Sequence, residues 1–148
     1  MKLLIQRVSE ARVEVDGAIV GAIGAGCMVL VGCRYDDTEK DAAWLAAKLA
    51  ALRIFQDDAG KMNLSLVQTG GSALLVSQFT LYADTSRGNR PGFEEAGPPT
   101  LAEQNFNIFV REVRRILGDD KVATGVFAAE MRVTLTNDGP VTIPLDTK

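Results

Sequence analysis

The sequence contains no histidine. That absence removes the Ser-His-Asp and Cys-His nucleophile systems in their usual form and every histidine-containing metal site. It also removes the one side chain whose ordinary pKa lies near neutrality. Chemistry in this chain must run on backbone groups, hydroxyls, carboxylates, amides, Lys or Arg, or on the substrate itself. Cysteine is scarce. Cys27 and Cys33 sit six residues apart in one apolar run. That spacing places both on the same face of a strand, too far apart along an extended chain to bridge each other. With no further partners for zinc, they read as reduced core thiols of a cytosolic protein. No metal and no cofactor is expected. No stretch approaches the ~18 apolar residues of a membrane-spanning helix, and Leu3-Leu4-Ile5 ahead of Gln6-Arg7 is too short for a secretion signal. The expected compartment is the cytoplasm. Excess positive charge is missing too: 16 Lys plus Arg against 19 Asp plus Glu leave a net charge of −3. This argues against non-specific nucleic-acid binding but leaves room for an RNA engaged through one local patch.

What is present is an ordinary globular balance, 47% apolar and 24% charged over 148 residues. That length suits one domain, residues 1–148, burying roughly 68–70% of its unfolded surface. Lys2 to Val8 reads as a first strand. Arg12–Val15 and Ala18–Val20 flank an Asp16-Gly17 turn and read as a hairpin. Cys27–Cys33 is a continuous apolar strand expected to be buried on both faces. Thr38-Glu39-Lys40-Asp41 opens a helix with a capping box in which Asp stands for Glu. Ala42, Leu45, Leu49 and Leu52 then share one face of that helix. Ala73–Phe79 is the next strand. Thr100-Leu101-Ala102-Glu103 reads as the capping box of a second helix whose apolar stripe includes Phe106, Phe109, Val110 and Val113. Val122–Phe127, Glu130–Thr136 and Val141–Ile143 are further strands, the last two separated by an Asn137-Asp138-Gly139-Pro140 turn. Strands outnumber helices about three to one. The expected fold is α+β: an antiparallel, barrel-like β-sheet with two outer helices.

Four segments invite a chemical reading. Gly21, Gly24 and Gly26 have the wrong spacing for either glycine-rich phosphate motif and precede a strand rather than opening a helix, so tight turns account for them. Ser77-Gln78-Phe79-Thr80 ends an apolar strand with three hydrogen-bonding side chains around one aromatic. It is either an ordinary polar strand end or a place where backbone N–H groups near Phe79 and Thr80 form an oxyanion hole. Thr80 as nucleophile is the weaker idea, because no imidazole is available to take its proton. Gly139-Pro140 is either part of a plain turn or, if its peptide bond is cis, a rigid pair of carbonyl acceptors suited to an ammonium group. Arg87-Gly88-Asn89-Arg90-Pro91-Gly92-Phe93 is either a solvated loop or a phosphate contact.

Taken in order, Ile5-Gln6-Arg7-Val8, Arg53-Ile54-Phe55, Gly60-Lys61-Met62-Asn63, Ser77-Gln78-Phe79-Thr80-Leu81, Arg90-Pro91, Thr124-Gly125-Val126-Phe127 with Met131, and Asn137-Asp138-Gly139-Pro140-Val141-Thr142 resemble the D-aminoacyl-tRNA deacylase family. The resemblance runs from near the first residue to near the last. Gly92 stands where the family often has Ser, and Phe127-Ala128-Ala129 stands where Phe-Gly-Ala is commoner.

The resemblance implies a homodimer that hydrolyses the ester between a D-amino acid, or glycine, and the 3′ end of a tRNA. Carried onto this chain, Ser77, Gln78, Phe79 and Thr80 line the pocket, with Phe79 and Thr80 as catalytic candidates. Gly139 and Pro140, on a cis bond, enter the partner's active site, sense the amino group and reject L-residues. Arg7 holds their carbonyls in place. No imidazole is needed, because the ribose hydroxyl beside the ester can orient water. Two rival readings stand beside this one: a non-catalytic dimeric module binding an aminoacyl ligand, and a hydrolase of free D-amino esters or peptides.

Overall fold

The computed structural model describes residues 1–147. Eight strands and three α-helices occur in the order β1 (Lys2–Val15), β2 (Ala18–Ile23), β3 (Gly26–Gly32), α1 (Glu39–Ala51), β4 (Phe55–Gln56), β5 (Met62–Leu64), α2 (Leu66–Thr69), β6 (Ser72–Ser77), α3 (Pro99–Leu117), β7 (Val122–Thr124) and β8 (Arg132–Asp146). A 3₁₀ turn, Phe79–Tyr82, follows β6.

β1 is the axis of the sheet. β8 runs antiparallel along one of its edges, while β2 and then β3 share the other. The hairpin turn falls at Asp16-Gly17 as the sequence predicts, with φ of 50° and 80°. From β3 onward the sheet departs from the antiparallel expectation: β3–β6 and β6–β7 pair parallel. The cause lies in the connections. A parallel neighbour needs a crossover of a dozen or more residues, and α1 and α3 supply the two crossovers. The barrel nearly closes where β2 meets β7. A Cβ on Gly21 would lie 2.6 Å from the Thr124 carbonyl oxygen, so only glycine permits that approach.

Two apolar layers follow from strand alternation. Leu3, Ile5, Cys27, Val29, Val31, Ala73 and Leu75 face α1 and α3. Val8, Ala11, Val13, Met28, Leu74 and Val76 face the barrel interior. β1 passes from the first set to the second by an irregularity between Val8 and Glu10, where Ser9 and Glu10 are both exposed. The extra residue lets odd-numbered Ala11 and Val13 continue the inward face begun by even-numbered Val8.

Thr38 caps α1 through the predicted box, Asp41 included. α3 differs. It begins at Pro99 with Pro98 as N-cap and no side-chain cap. Proline's fixed φ suits the first helical position, so the helix is under way before Thr100, whose hydroxyl caps nothing. β6 ends at Ser77 and β7 at Thr124, both short of the predicted limits. The Asn-Asp-Gly-Pro segment does not reverse the chain. It is a bulge inside the continuous β8, where four residues, 138–141, stand against Arg7 alone between the pairs Gln6–Thr142 and Val8–Asn137. Among the described residues, no helix is long and apolar enough to cross a membrane.

Candidate active site

The parallel pairing puts the carboxyl ends of β3 and β6 at one edge of the barrel. A cavity of about 700 Å³ opens there. Val31, Val76, Met131 and Val133 give it an apolar floor, and Gly97-Pro98-Pro99 at the start of α3 closes one side. Ser77, Gln78 and Phe79 line it. Ser77 and Gln78 are half-buried. Phe79 is 56% exposed and meets Phe93 edge to face, centroids 4.9 Å apart.

The chain turns sharply after β6. Gln78 N–H donates to the Val31 carbonyl at 2.8 Å, and the 3₁₀ turn starts at once. Among the described residues, no hydrogen bond joins the Phe79 or Thr80 N–H to a protein acceptor, as is usual for the first amides of a helical turn. Two free amide donors therefore stand beside an apolar cavity. Thr80 lies next to the cavity rather than in its lining. Its hydroxyl is hydrogen-bonded by the Gln78 side-chain amide, and a carboxamide is no base in either orientation.

Arg7, Gly139 and Pro140 do not join this pocket. Arg7 pairs with Cys27, which is level with Ala73. That is four residues short of Ser77, or about 13 Å along the sheet at roughly 3.3 Å per residue. Arg7 is itself buried. Its Nε donates to the Asp138 carbonyl at 2.8 Å, and its Nη1 to the Ile54 carbonyl at 2.5 Å. The guanidinium thus pins the β8 bulge at its root. Asn137 secures the other side: its Oδ1 accepts from Val141 N–H at 2.7 Å, and its Nδ2 reaches the Val141 carbonyl at 3.2 Å. Between these clamps the Gly139–Pro140 bond is cis, and both residues are exposed. Gly139 adopts φ 148°. A Cβ there would fall 2.8 Å from Val141 Cγ2, 2.9 Å from Val141 N and 3.1 Å from Arg7 Nη2.

Burial pushes both thiols up to about 12, Cys27 against the opposing pull of Arg7 and Cys33 with further help from Asp37. Cys33 lines the cavity but stays protonated near neutrality, so it is no thiolate nucleophile. No group of three or more His, Cys, Asp or Glu among the described residues is placed to hold a metal ion.

Sequence reasoning missed most of the floor and the Gly97-Pro98-Pro99 side of the cavity. Only Pro98-Pro99 carries a local signal, and a proline pair marks a loop. Ala128, also in the lining, has φ 58°. In this left-handed region an L-residue costs roughly 1–2 kcal/mol and glycine almost nothing, so the backbone here suits the commoner Phe-Gly-Ala.

A profile of the family described as D-Tyr-tRNA(Tyr) deacylase matches residues 4–146. The chain is 57% identical over 148 residues to the D-aminoacyl-tRNA deacylase of Geobacter sulfurreducens, spanning all of this chain and 96% of that protein. It is 58% identical over 146 residues to the one from Thermomicrobium roseum, spanning 99% and 94%. Among solved structures, the c-Myc DNA Unwinding Element Binding Protein superposes with a TM-score of 0.96 at 39% identity, covering 100% of this chain and 99% of the other. A protein described as a probable eukaryotic D-amino acid tRNA deacylase gives 0.85 at 17% identity over 97% of each chain, a likeness of fold. The barrel-like α+β fold and these relatives define a hydrolase of ester bonds. The chain belongs to the D-Tyr-tRNA(Tyr) deacylase family.

Proposed function

We propose that the chain hydrolyses the ester joining a D-amino acid, or glycine, to the 3′ end of a tRNA, as a cytoplasmic homodimer acting through one domain. The observation that carries this reading is the pair of unengaged Phe79 and Thr80 amides at the mouth of an apolar cavity. Water adds to the ester carbonyl carbon, and the two amides receive the oxyanion. The C–O bond to the ribose then breaks, and the departing ribose oxygen takes the proton. One such donor contributes roughly 2.7–4 kcal/mol to a barrier. The neighbouring ribose hydroxyl orients the water, so the chain supplies position and dipoles rather than a base. Ser77 and Gln78 bind the substrate beside them.

Gly139 and Pro140 serve a second copy. They are exposed, clamped and distant from their own cavity, and the outer edge of β8 that carries them pairs with no strand among the described residues. In the dimer their carbonyls accept the substrate's ammonium in the partner's pocket, and their bulk excludes the side chain of an L-residue. Arg7 positions them.

The test is ester loss from D-Tyr-tRNA and L-Tyr-tRNA with purified protein. The expected ratio favours the D-ester by at least about 100-fold. Equal rates, or no turnover of the D-ester, would overturn the reading, and binding without turnover would favour a non-catalytic module. Small D-amino esters hydrolysed as fast as the tRNA ester would point to the free-ester alternative. Thr80→Ala is expected to keep kcat/KM within about tenfold of wild type, because water rather than the hydroxyl attacks. Complete loss in a folded, substrate-binding variant would restore the covalent route through Thr80.

A further inference from the structure

A second cleft, of about 820 Å³, is lined by residues that neighbour those of the active-site cavity along the same two stretches of chain. Phe79 and Phe93 line the first, while Tyr82, Gly92 and Glu94 line the second. The loop over this second cleft has a firm base: Asp84 N–H donates to the Gly92 carbonyl at 2.9 Å, and Gly92 N–H to the Asp84 carbonyl at 2.8 Å. Arg87 and Arg90 stand on the loop above that base, both exposed and both lining the cleft.

The charges around them divide into engaged and free. Lys2 lies 3.8 Å from Asp146 and 4.5 Å from the centre of the Tyr82 ring. Glu95 faces Arg34 at 3.8 Å. Asp84 is occupied by the Ser86 N–H at 2.9 Å, a bond that holds its carboxyl below the usual carboxylate range. Among the described residues, Arg87 and Arg90 have no ion-pair partner, and the Glu94 carboxylate turns back against Gly92. Two unengaged guanidiniums on an anchored loop, next to a site for an ester on a nucleic-acid end, have the donor geometry that suits a phosphate.

We infer that Arg87 and Arg90 hold the last internucleotide phosphate of the tRNA 3′ strand while the terminal nucleoside ester occupies the neighbouring cavity. This rests on the deacylase reading and adds to it where the polynucleotide leaves the site. It also accounts for an acidic chain handling an anionic substrate: two local cations suffice where one phosphate is gripped.

The experiment compares two substrates with the same ester, D-aminoacyl-tRNA and the D-aminoacyl ester of adenosine, which has no phosphate. The Arg87→Ala/Arg90→Ala variant is expected to raise KM for the tRNA ester about 10-fold, the lower end for a charge-assisted hydrogen bond, with kcat within about twofold. Its kcat/KM on the adenosine ester stays at the wild-type value. The dependence of log KM on log salt becomes shallower by roughly 0.7, the slope that one neutralised phosphate adds on a single strand. Arg87→Lys/Arg90→Lys, which keeps the charges, recovers most of the KM. Equal losses on both esters, or wild-type KM on the tRNA ester, would overturn the clamp while leaving the deacylase reading intact. A wild-type protein inert toward both esters would overturn both.

Discussion

Gly139→Ala is expected to lower kcat/KM on D-aminoacyl-tRNA by at least about 100-fold, the scale on which a displacement of about 1 Å degrades a positioned site. A methyl group that reached only the partner's pocket would damage function and spare the fold. In the structure, however, the methyl meets its own chain first, at Val141 N and Cγ2, and its backbone sits at φ 148°. Strain of this kind costs on the order of 1–3 kcal/mol. The variant should therefore lose some stability along with its activity, and the assay must be run below its own unfolding transition. Urea unfolding alongside D-ester turnover separates the two losses. A folded Gly139→Ala protein with wild-type turnover would sink the assignment of the Gly-Pro pair.

The largest stability loss is expected at Asp37, which does not line the active-site cavity. Its side chain is fully buried. It accepts from the Met1 ammonium and, at 2.6 Å, from Arg34 N–H, while its carbonyl accepts from Asn105 Nδ2 at 3.2 Å. One residue thus ties the start of β1 to the segment before α1 and to the middle of α3. Asp37→Ala leaves a buried ammonium and a backbone amide unanswered, and breaking such a pair costs about 3–5 kcal/mol. At roughly 2–4 °C per kcal/mol for a chain of this size, Tm should fall by about 10 °C. Asp37→Asn, which keeps an acceptor for Arg34 N–H, should lose less. Calorimetry on both variants checks the order, and a change below about 1 kcal/mol in Asp37→Ala would contradict it.

Local signals are legible wherever local chemistry decides the outcome. Asp16-Gly17 sets a hairpin because both residues tolerate positive φ, and Thr38 caps α1 because its hydroxyl and the Asp41 carboxylate answer each other's amides. The apolar stripe of α3 reads correctly because burial enforces helical spacing. Signals that depend on remote partners are not legible. Nothing within Gly26–Gly32 or Ser72–Ser77 states that these strands run parallel, since that follows from the helices between them. Asn137-Asp138-Gly139-Pro140 has turn composition, yet Arg7 and Asn137 recruit it as a bulge in an unbroken strand. The candidate site divides the same way. Ser77, Gln78 and Phe79 mark a strand end that composition alone locates. The floor from Met131 and Val133 exists only once β8 has been laid beside β1.

The exposed pair Ser9-Glu10 has a consequence for how this chain can vary in length. Val8 and Ala11 both face the barrel interior with two residues between them, one more than strict alternation needs. Removing either Ser9 or Glu10 would leave a single residue between them and keep Ala11 and Val13 inward by plain alternation. Removing both would make Val8 and Ala11 neighbours, sending Ala11 and Val13 out to water and Arg12 and Glu14 inward. Indels at this point are governed by parity rather than by size, so a double-codon deletion here is more damaging than a single one.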